Sequence, residues 1–245
     1  MSILWCGIDY GETVMNPFTL HQSAVIREIY RELGRPVEAE DRVQRWYRAR
    51  ATMGPPGTEP HLLVRDLKQY ARERIYKDVF DDDRKAVSMY EAKEVAGFGK
   101  GEDVEAALAL MRSRHIGVAI VSESGSVVAA QTVSRYLKAH SLDQYFEEII
   151  TPAGRFSVEG ELVDPSFIGA TKKAGTIYAK IREYLKTKDI ASSSAAIIGD
   201  DPRLDVEHAK PHGFFTIQYI GILDRGGSEK ADFAMTHWND VRKVL

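Results

Sequence analysis

The chain has 245 residues, 44% of them hydrophobic and 28% charged, with a formal net charge of −3 at pH 7. That length accommodates one large domain or a core plus a smaller module, and the small net charge gives no push toward nucleic acid or an anionic membrane. The single cysteine, Cys6, excludes an internal disulfide framework and a cysteine-based zinc cluster. Within its apolar run it reads as a small buried hydrophobe. No apolar stretch approaches the length of a membrane span. The first apolar run is short and lacks a basic leader, so it reads as a strand rather than a signal peptide. A cytoplasmic, reducing location is the default expectation.

In chain order, Ile3-Leu4-Trp5-Cys6-Gly7-Ile8 is a strand that stops at Asp9, followed by Tyr10-Gly11-Glu12-Thr13. From Asn16 to about Gly101 the pattern is helical. Leu20, Val25, Ile26, Ile29 and Leu33 recur at helical spacing before Gly34. A second helix spans Glu38 to Arg50, and Met53-Gly54-Pro55-Pro56-Gly57 breaks the chain. Helices over Leu62–Phe80 and Arg84–Val95 lead to a linker at Gly97–Gly101. Beyond it, helices over Val104–Arg114, Val127–Ala139, Ile177–Lys186 and Leu204–Lys210 alternate with strands. Those strands are Val118–Val121, Glu148–Ile150, Ala195–Ile198, Phe214–Ile217 and Phe233–Met235, with a closing helix to Leu245. Gly154 to Gly169 reads as a loop or small hairpin. Alternation of this kind specifies an α/β fold with a parallel sheet covered on both faces. The expected architecture is a Rossmann-like core, residues 1–15 and 102–245, with an all-helical insertion over residues 16–101.

Ligands of open parallel sheets bind at the carboxyl ends of the strands. The first strand ends at Asp9, the second core strand at Ser122-Glu123, and a later one at Gly199-Asp200-Asp201, with Asp205 shortly beyond. Lys172-Lys173 precede a helix. These groups suit phosphoryl transfer. A carboxylate can attack phosphorus, and clustered carboxylates accommodate Mg²⁺ together with substrate oxygens. A hydroxyl and an ammonium can hold the non-bridging phosphate oxygens.

The order of these pieces resembles the haloacid dehalogenase-like hydrolase superfamily, whose first motif is an apolar strand followed by Asp-x-Asp-x-Thr. Here the text is Asp9-Tyr10-Gly11-Glu12-Thr13. The second motif matches Ile120-Val121-Ser122, the third Lys172 or Lys173, and the fourth Gly199-Asp200 with Asp205. The resemblance implies Asp9 as nucleophile, and Ser122 and Lys172 as catalytic groups. Ser122, Glu123, Lys172 and Lys173 would form the substrate-binding set. Mg²⁺ would be the cofactor, its metal set drawn from Asp9, the Gly11 carbonyl, Asp200, Asp201 and Asp205. It also implies that the helical insertion is a cap, and that the partner is a small phosphorylated or phosphonate substrate rather than nucleic acid or membrane, with the chain a monomer or homodimer.

One position departs from the pattern. The family's phosphatases place a general acid/base Asp where this chain has Gly11, which offers a backbone carbonyl but no titratable side chain. The 2-haloacid dehalogenases have Tyr there and need no metal, and the acidic pair Asp200-Asp201 argues against their chemistry. Phosphonoacetaldehyde hydrolase has Ala there and uses a cap Lys. Ala49 to Gly54 is similar to the segment before that Lys, but the Lys position falls on Gly57, and Lys68 is the nearest downstream lysine. Plainer readings stand beside these. Ser122 could be a turn residue, Lys172 and Lys173 surface charges, and Asp200, Asp201 or Asp205 helix caps. Arg48 and Arg50 could bind an anionic substrate tail, or be surface charge. Gly11 also leaves open a crippled, non-catalytic member that binds a ligand or partner.

Overall fold

A computed structural model describes residues 2–51 and 69–245. The expected Gly/Pro break at residues 53–57, the start of the third helix and Lys68 lie outside the described residues. The chain divides into two compact units, residues 1–16 with 100–245, and residues 17–99.

The smaller unit is helical among its described residues, with α1 (Gln22–Glu32), α2 (Ala39–Ala51), α3 (Gln69–Phe80) and α4 (Arg84–Gly97). Each contributes apolar residues at helical spacing to one core. Ile26, Ile29 and Tyr30 of α1 meet Val43 and Trp46 of α2, Ile75, Val79 and Phe80 of α3, and Ala86 and Tyr90 of α4. Asp83 caps α4, its carboxylate accepting from the Lys85 and Ala86 N–H groups at 3.1 and 3.2 Å. Arg35 joins this cap to Glu38, reaching Asp83 at 2.7 Å and Glu38 at 2.6 Å. The first helix starts later than its apolar pattern suggests, because Pro17–Thr19 forms a separate 3₁₀ turn.

The larger unit holds β1 (Trp5–Ile8), β2 (Met15–Asn16), β3 (Gly99–Lys100), α5 (Val104–Ser113), β4 (Gly117–Val121), α6 (Val127–Ala139) and β5 (Glu148–Thr151). It continues through β6 (Gly154–Ser157), β7 (Leu162–Asp164), α7 (Thr176–Lys186), β8 (Ala195–Gly199), β9 (Phe215–Tyr219) and β10 (Phe233–Met235). Among the described residues its main sheet has eight strands in the order β10-β9-β8-β1-β4-β5-β6-β7. The strands from β10 to β5 are parallel, and β6 and β7 add an antiparallel edge hairpin. The segment Gly154–Gly169 is therefore the hairpin alternative, closed by a 3₁₀ turn at Pro165–Phe167.

β1 is the central strand. Its neighbours come from both sides in space and from distant parts of the chain, with Ile8 level with Ile120 of β4 and Ile198 of β8. The strand order reverses there, so the carboxyl end of β1 lies at the crevice where such sheets bind ligands. Trp5, Ala119, Val121 and Ile197 pack with Ile177, Tyr178, Ile181 and Leu185 of α7. The alternate residues Cys6, Ile8, Val118 and Ile120 are equally buried toward the other face. Burial pushes the Cys6 thiol up to about 12, which leaves it an inert apolar group.

Two expected helices are shorter than foreseen. Residues 202–207 form a π turn and 210–212 a 3₁₀ turn in place of a helix over Leu204–Lys210, and Pro211, which has no N–H, cannot carry a helical ladder past Lys210. The C-terminal segment is a 3₁₀ helix, Trp238–Lys243. Its Trp238 indole donates to the Thr13 carbonyl at 3.2 Å, tying this end to the loop after β1. No helix among the described residues is long and apolar enough to cross a membrane.

Candidate active site

Asp9 follows the last residue of β1, and its N–H donates to the Ile198 carbonyl at the end of β8, at 2.8 Å. The chain then folds into a tight turn in which the Tyr10 carbonyl accepts from Val14 and Met15, at 3.1 and 2.9 Å, and the Glu12 N–H donates to Met15. Glu12 sits at φ 58°, a region that normally favours glycine. Gly11 does not have a positive φ, and a Cβ built there meets nothing within 4 Å. Its lack of a side chain is therefore not imposed by the loop.

Lys172 is buried, and its ammonium bridges two carboxylates, Asp9 Oδ1 at 2.5 Å and Asp205 Oδ1 at 2.6 Å. Burial disfavours the charged ammonium. Asp205 and Asp9 outweigh that penalty and hold Lys172 well above the usual lysine range. Burial also raises the Asp205 carboxyl, with Lys172 opposing the shift and Asp9 adding to it. The lysine is placed by its backbone. Its N–H donates to Glu123 at 2.5 Å, and its carbonyl accepts from Gly175 N–H at 2.9 Å. His208 Nδ1 lies 2.7 Å from the same carbonyl, which can only accept, so that nitrogen carries the proton.

Gly199 matters for close approach. A Cβ there would lie 2.2 Å from Asp205 Cγ, so any side chain would push Asp205 off Lys172. The second Asp205 oxygen accepts from the Asp201 N–H at 3.1 Å. Tyr178, buried beneath, donates to the Leu204 carbonyl at 2.7 Å and holds the segment that carries Asp205.

Asp200 meets a second cation. Arg225, in the loop after β9, donates from Nε to Asp200 Oδ2 at 2.6 Å and from Nη2 to Glu12 Oε2 at 2.7 Å. The side chains of Asp200 and Glu12 are 1% and 3% exposed, and this guanidinium supplies positive charge to both carboxylates. The loop is anchored by the Gln218 side chain, which donates to the Gly226 carbonyl and accepts from Ser228 N–H, at 2.8 and 2.7 Å.

The structure thus brings Asp9, Lys172, Asp200 and Asp205 together at the carboxyl ends of β1 and β8, with Ser122 at the end of the adjacent β4, its hydroxyl 3.2 Å from that of Ser124. The carboxylates of Asp9, Asp200 and Asp205 each offer an oxygen within 4.8 Å of the others. Three expected site residues have other tasks. Asp201 caps the following turn, its Oδ1 accepting from the Arg203 and Leu204 N–H groups at 3.0 and 2.9 Å. Glu123 accepts from the backbone N–H groups of Lys172 and Lys173. Lys173 is exposed, and of the two lysines Lys172 reaches Asp9. Arg48 is exposed in the helical unit; the side chain of Arg50 lies outside the described residues. Sequence reasoning missed Arg225, Tyr178 and the positioning role of His208. The Arg225 loop carries no motif, and His208 has no metal-ligand spacing to draw notice.

No family model and no curated protein matches the chain. Solved structures do, over the whole chain. A HAD-superfamily hydrolase of subfamily IA from Geobacter sulfurreducens is 15% identical, with 100% of each chain covered and a TM-score of 0.54. A predicted phosphoglycolate phosphatase from Haemophilus somnus is 11% identical, covering 100% of this chain and 98% of its own, with a TM-score of 0.61. A HAD-hydrolase from Bacillus subtilis bound to magnesium is 11% identical, covering 100% and 99%, with a TM-score of 0.59. At such identities the likeness speaks to the fold, and with a switch-point aspartate on its central strand this chain has the fold of the haloacid dehalogenase-like hydrolases.

Proposed function

We propose that the chain is a Mg²⁺-dependent hydrolase of a small phosphorylated or phosphonate metabolite, working through an aspartyl-phosphate on Asp9. The observation that carries this reading is the buried Lys172 ammonium held between Asp9 and Asp205 at the ends of β1 and β8. It supports a carboxylate held at the ligand crevice, next to a cation that can take up phosphoryl charge. An Asp9 oxygen attacks phosphorus, and the Asp9 O–P bond forms as the bond to the leaving group breaks. Water then attacks phosphorus, releasing phosphate and returning the electron pair to Asp9. Ser122 and Lys172 hold the non-bridging oxygens. Residues 17–99 serve as the cap that selects the substrate.

The residues suit Mg²⁺. They form a hard-oxygen donor set, in which the carboxylates of Asp9, Asp200 and Asp205 each place an oxygen within 4.8 Å of the others. Asp9, Asp200 and the Gly11 carbonyl would hold the ion, which when bound would neutralise phosphoryl charge. A magnesium-bound structural neighbour adds support. Asp205, with one oxygen on Lys172 and the other on the Asp201 N–H, and Asp201, engaged as a cap, are left out of this ligand set.

Gly11 supplies no proton to the leaving group, and Glu12 is held by Arg225. Substrates whose leaving groups are stable as anions are therefore favoured. Gly11 also supports a second reading, a non-catalytic protein that binds a phosphorylated ligand or a protein partner. An aryl phosphate, whose leaving group needs no proton, separates the two when assayed with wild type and Asp9→Asn. Wild-type turnover that falls by several orders of magnitude in the folded variant is the expected result. Equal turnover in the variant removes Asp9 from the mechanism, and phosphate binding without turnover in wild type favours the second reading.

A further inference from the structure

The position that is Glu12 and the loop that carries Arg225 have no part in the chemistry above, yet they are built into the same site. Glu12 is a buried carboxylate at a positive φ, a backbone region that a non-glycine residue adopts only with strain. Its Oε2 accepts from Arg225 Nη2 at 2.7 Å, while Arg225 Nε donates to Asp200 Oδ2 at 2.6 Å. The guanidinium is planar and carries its donors in a fixed fork, so one side chain spans both carboxylates. The Gln218 anchors keep its loop in place.

We propose that Arg225 is a resident counter-cation for Asp200, held there by Glu12, and that the guanidinium and a divalent cation compete for that carboxylate. This rests on reading Asp9 and Asp200 as a cation site. A divalent ion and a guanidinium on the same buried carboxylate are like charges a few ångström apart, so each weakens the other's hold on Asp200. Binding of the ion loosens Arg225 from Asp200, and the Arg225 loop is the element that reports it. In the absence of the ion, Arg225 supplies positive charge to Asp200 and Glu12.

The test is calorimetric titration of the full chain with MgCl₂, comparing wild type with Arg225→Met and Glu12→Gln. Arg225→Met is expected to bind Mg²⁺ about tenfold or more tightly, which is about 1.4 kcal/mol. Glu12→Gln, which loosens one anchor of the guanidinium, is expected to move affinity in the same direction by less. Unchanged or weaker affinity in folded Arg225→Met overturns the proposal. If that variant does not fold, wild type decides the matter through the Nε–H resonance of Arg225, assigned from the spectrum of Arg225→Lys. The resonance is expected to move toward its solvent-exposed position and lose exchange protection as Mg²⁺ saturates; a resonance unmoved at saturation overturns the competition. Absence of Mg²⁺ binding in both wild type and a folded Arg225→Met overturns the metal reading itself, and this inference with it.

Discussion

At the residue scale, Gly11 and Lys172 define what the site lacks and what it cannot lose. The space around Gly11 is open and its backbone is not left-handed, so Gly11→Asp is accommodated. It adds a carboxylate beside Asp9, where Gly11 offers no proton donor. Alkoxide leaving groups need that proton far more than phenolates do. The variant is expected to raise kcat/KM for alkyl phosphates relative to aryl phosphates by on the order of a hundredfold. A folded variant with an unchanged ratio would place the acid elsewhere or remove ester cleavage from the reaction. Lys172→Met leaves Asp9 and Asp205 facing each other without their cation. Breaking a buried pair from one side costs about 3–5 kcal/mol, which urea denaturation would register. A loss below about 1 kcal/mol would show that the pair is far more solvated than its burial indicates.

At the scale of elements, helix caps link charge to folding. Asp83 is the cap of α4, and the Ala86 N–H, followed by Arg35 and Lys85 N–H, holds its carboxyl below the usual range. A depressed carboxyl contributes stability that is fully present above its unfolded value, about 3.9, and is lost as pH falls through the lower folded value. Glu38, held down to about 2 chiefly by Arg35, follows the same sign. Asp83→Ala is therefore expected to cost about 1 kcal/mol at neutral pH, and the gap from wild type should narrow as pH drops below about 4. Thermal melts followed by circular dichroism at both pH values test this; a gap that widens in acid contradicts it. The strand-turn elements of the core obey a similar local logic. Pro202, set next to the Asp201 cap, starts a turn rather than a long helix.

At the scale of the whole molecule, the sheet sets a gradient of stability. β1, β4 and β8 are paired on both sides, and nearly every residue in them is buried. β7 is an edge strand whose Leu162 and Val163 are exposed. Hydrogen exchange is expected to be slowest for amides of β1, β4 and β8, and markedly faster in β7. Comparable exchange in β7 and β1 would mean that the sheet does not open from its edge. The same gradient places the candidate site on the most protected strands, with Arg225 reaching it from a loop. The strand that leads to Asp9 and the Arg225 contact at Asp200 thus come from different parts of one fold.

Local patterns were enough to read much of this protein from its residues. Apolar runs of strand length ending in Asp9, Ser122 and Asp200 are short-range features, and so is the alternation of strands with helices beyond Gly101. They specify an α/β core with its carboxylates on one sheet edge, because the side-chain period and the chain order are written in contiguous residues. The helical texture of residues 17–99 was legible for the same reason. Tertiary structure alone decided which groups meet. Lys172 rather than Lys173 faces Asp9 because Glu123 and His208 fix its backbone from remote segments. Asp201 turned out to be a cap because its carboxylate faces the N–H groups of the turn it begins. Glu12 and Arg225 stand 213 positions apart, and no spacing rule connects them. Their meeting depends on the parallel register that brings the ends of β1, β8 and β9 to one edge.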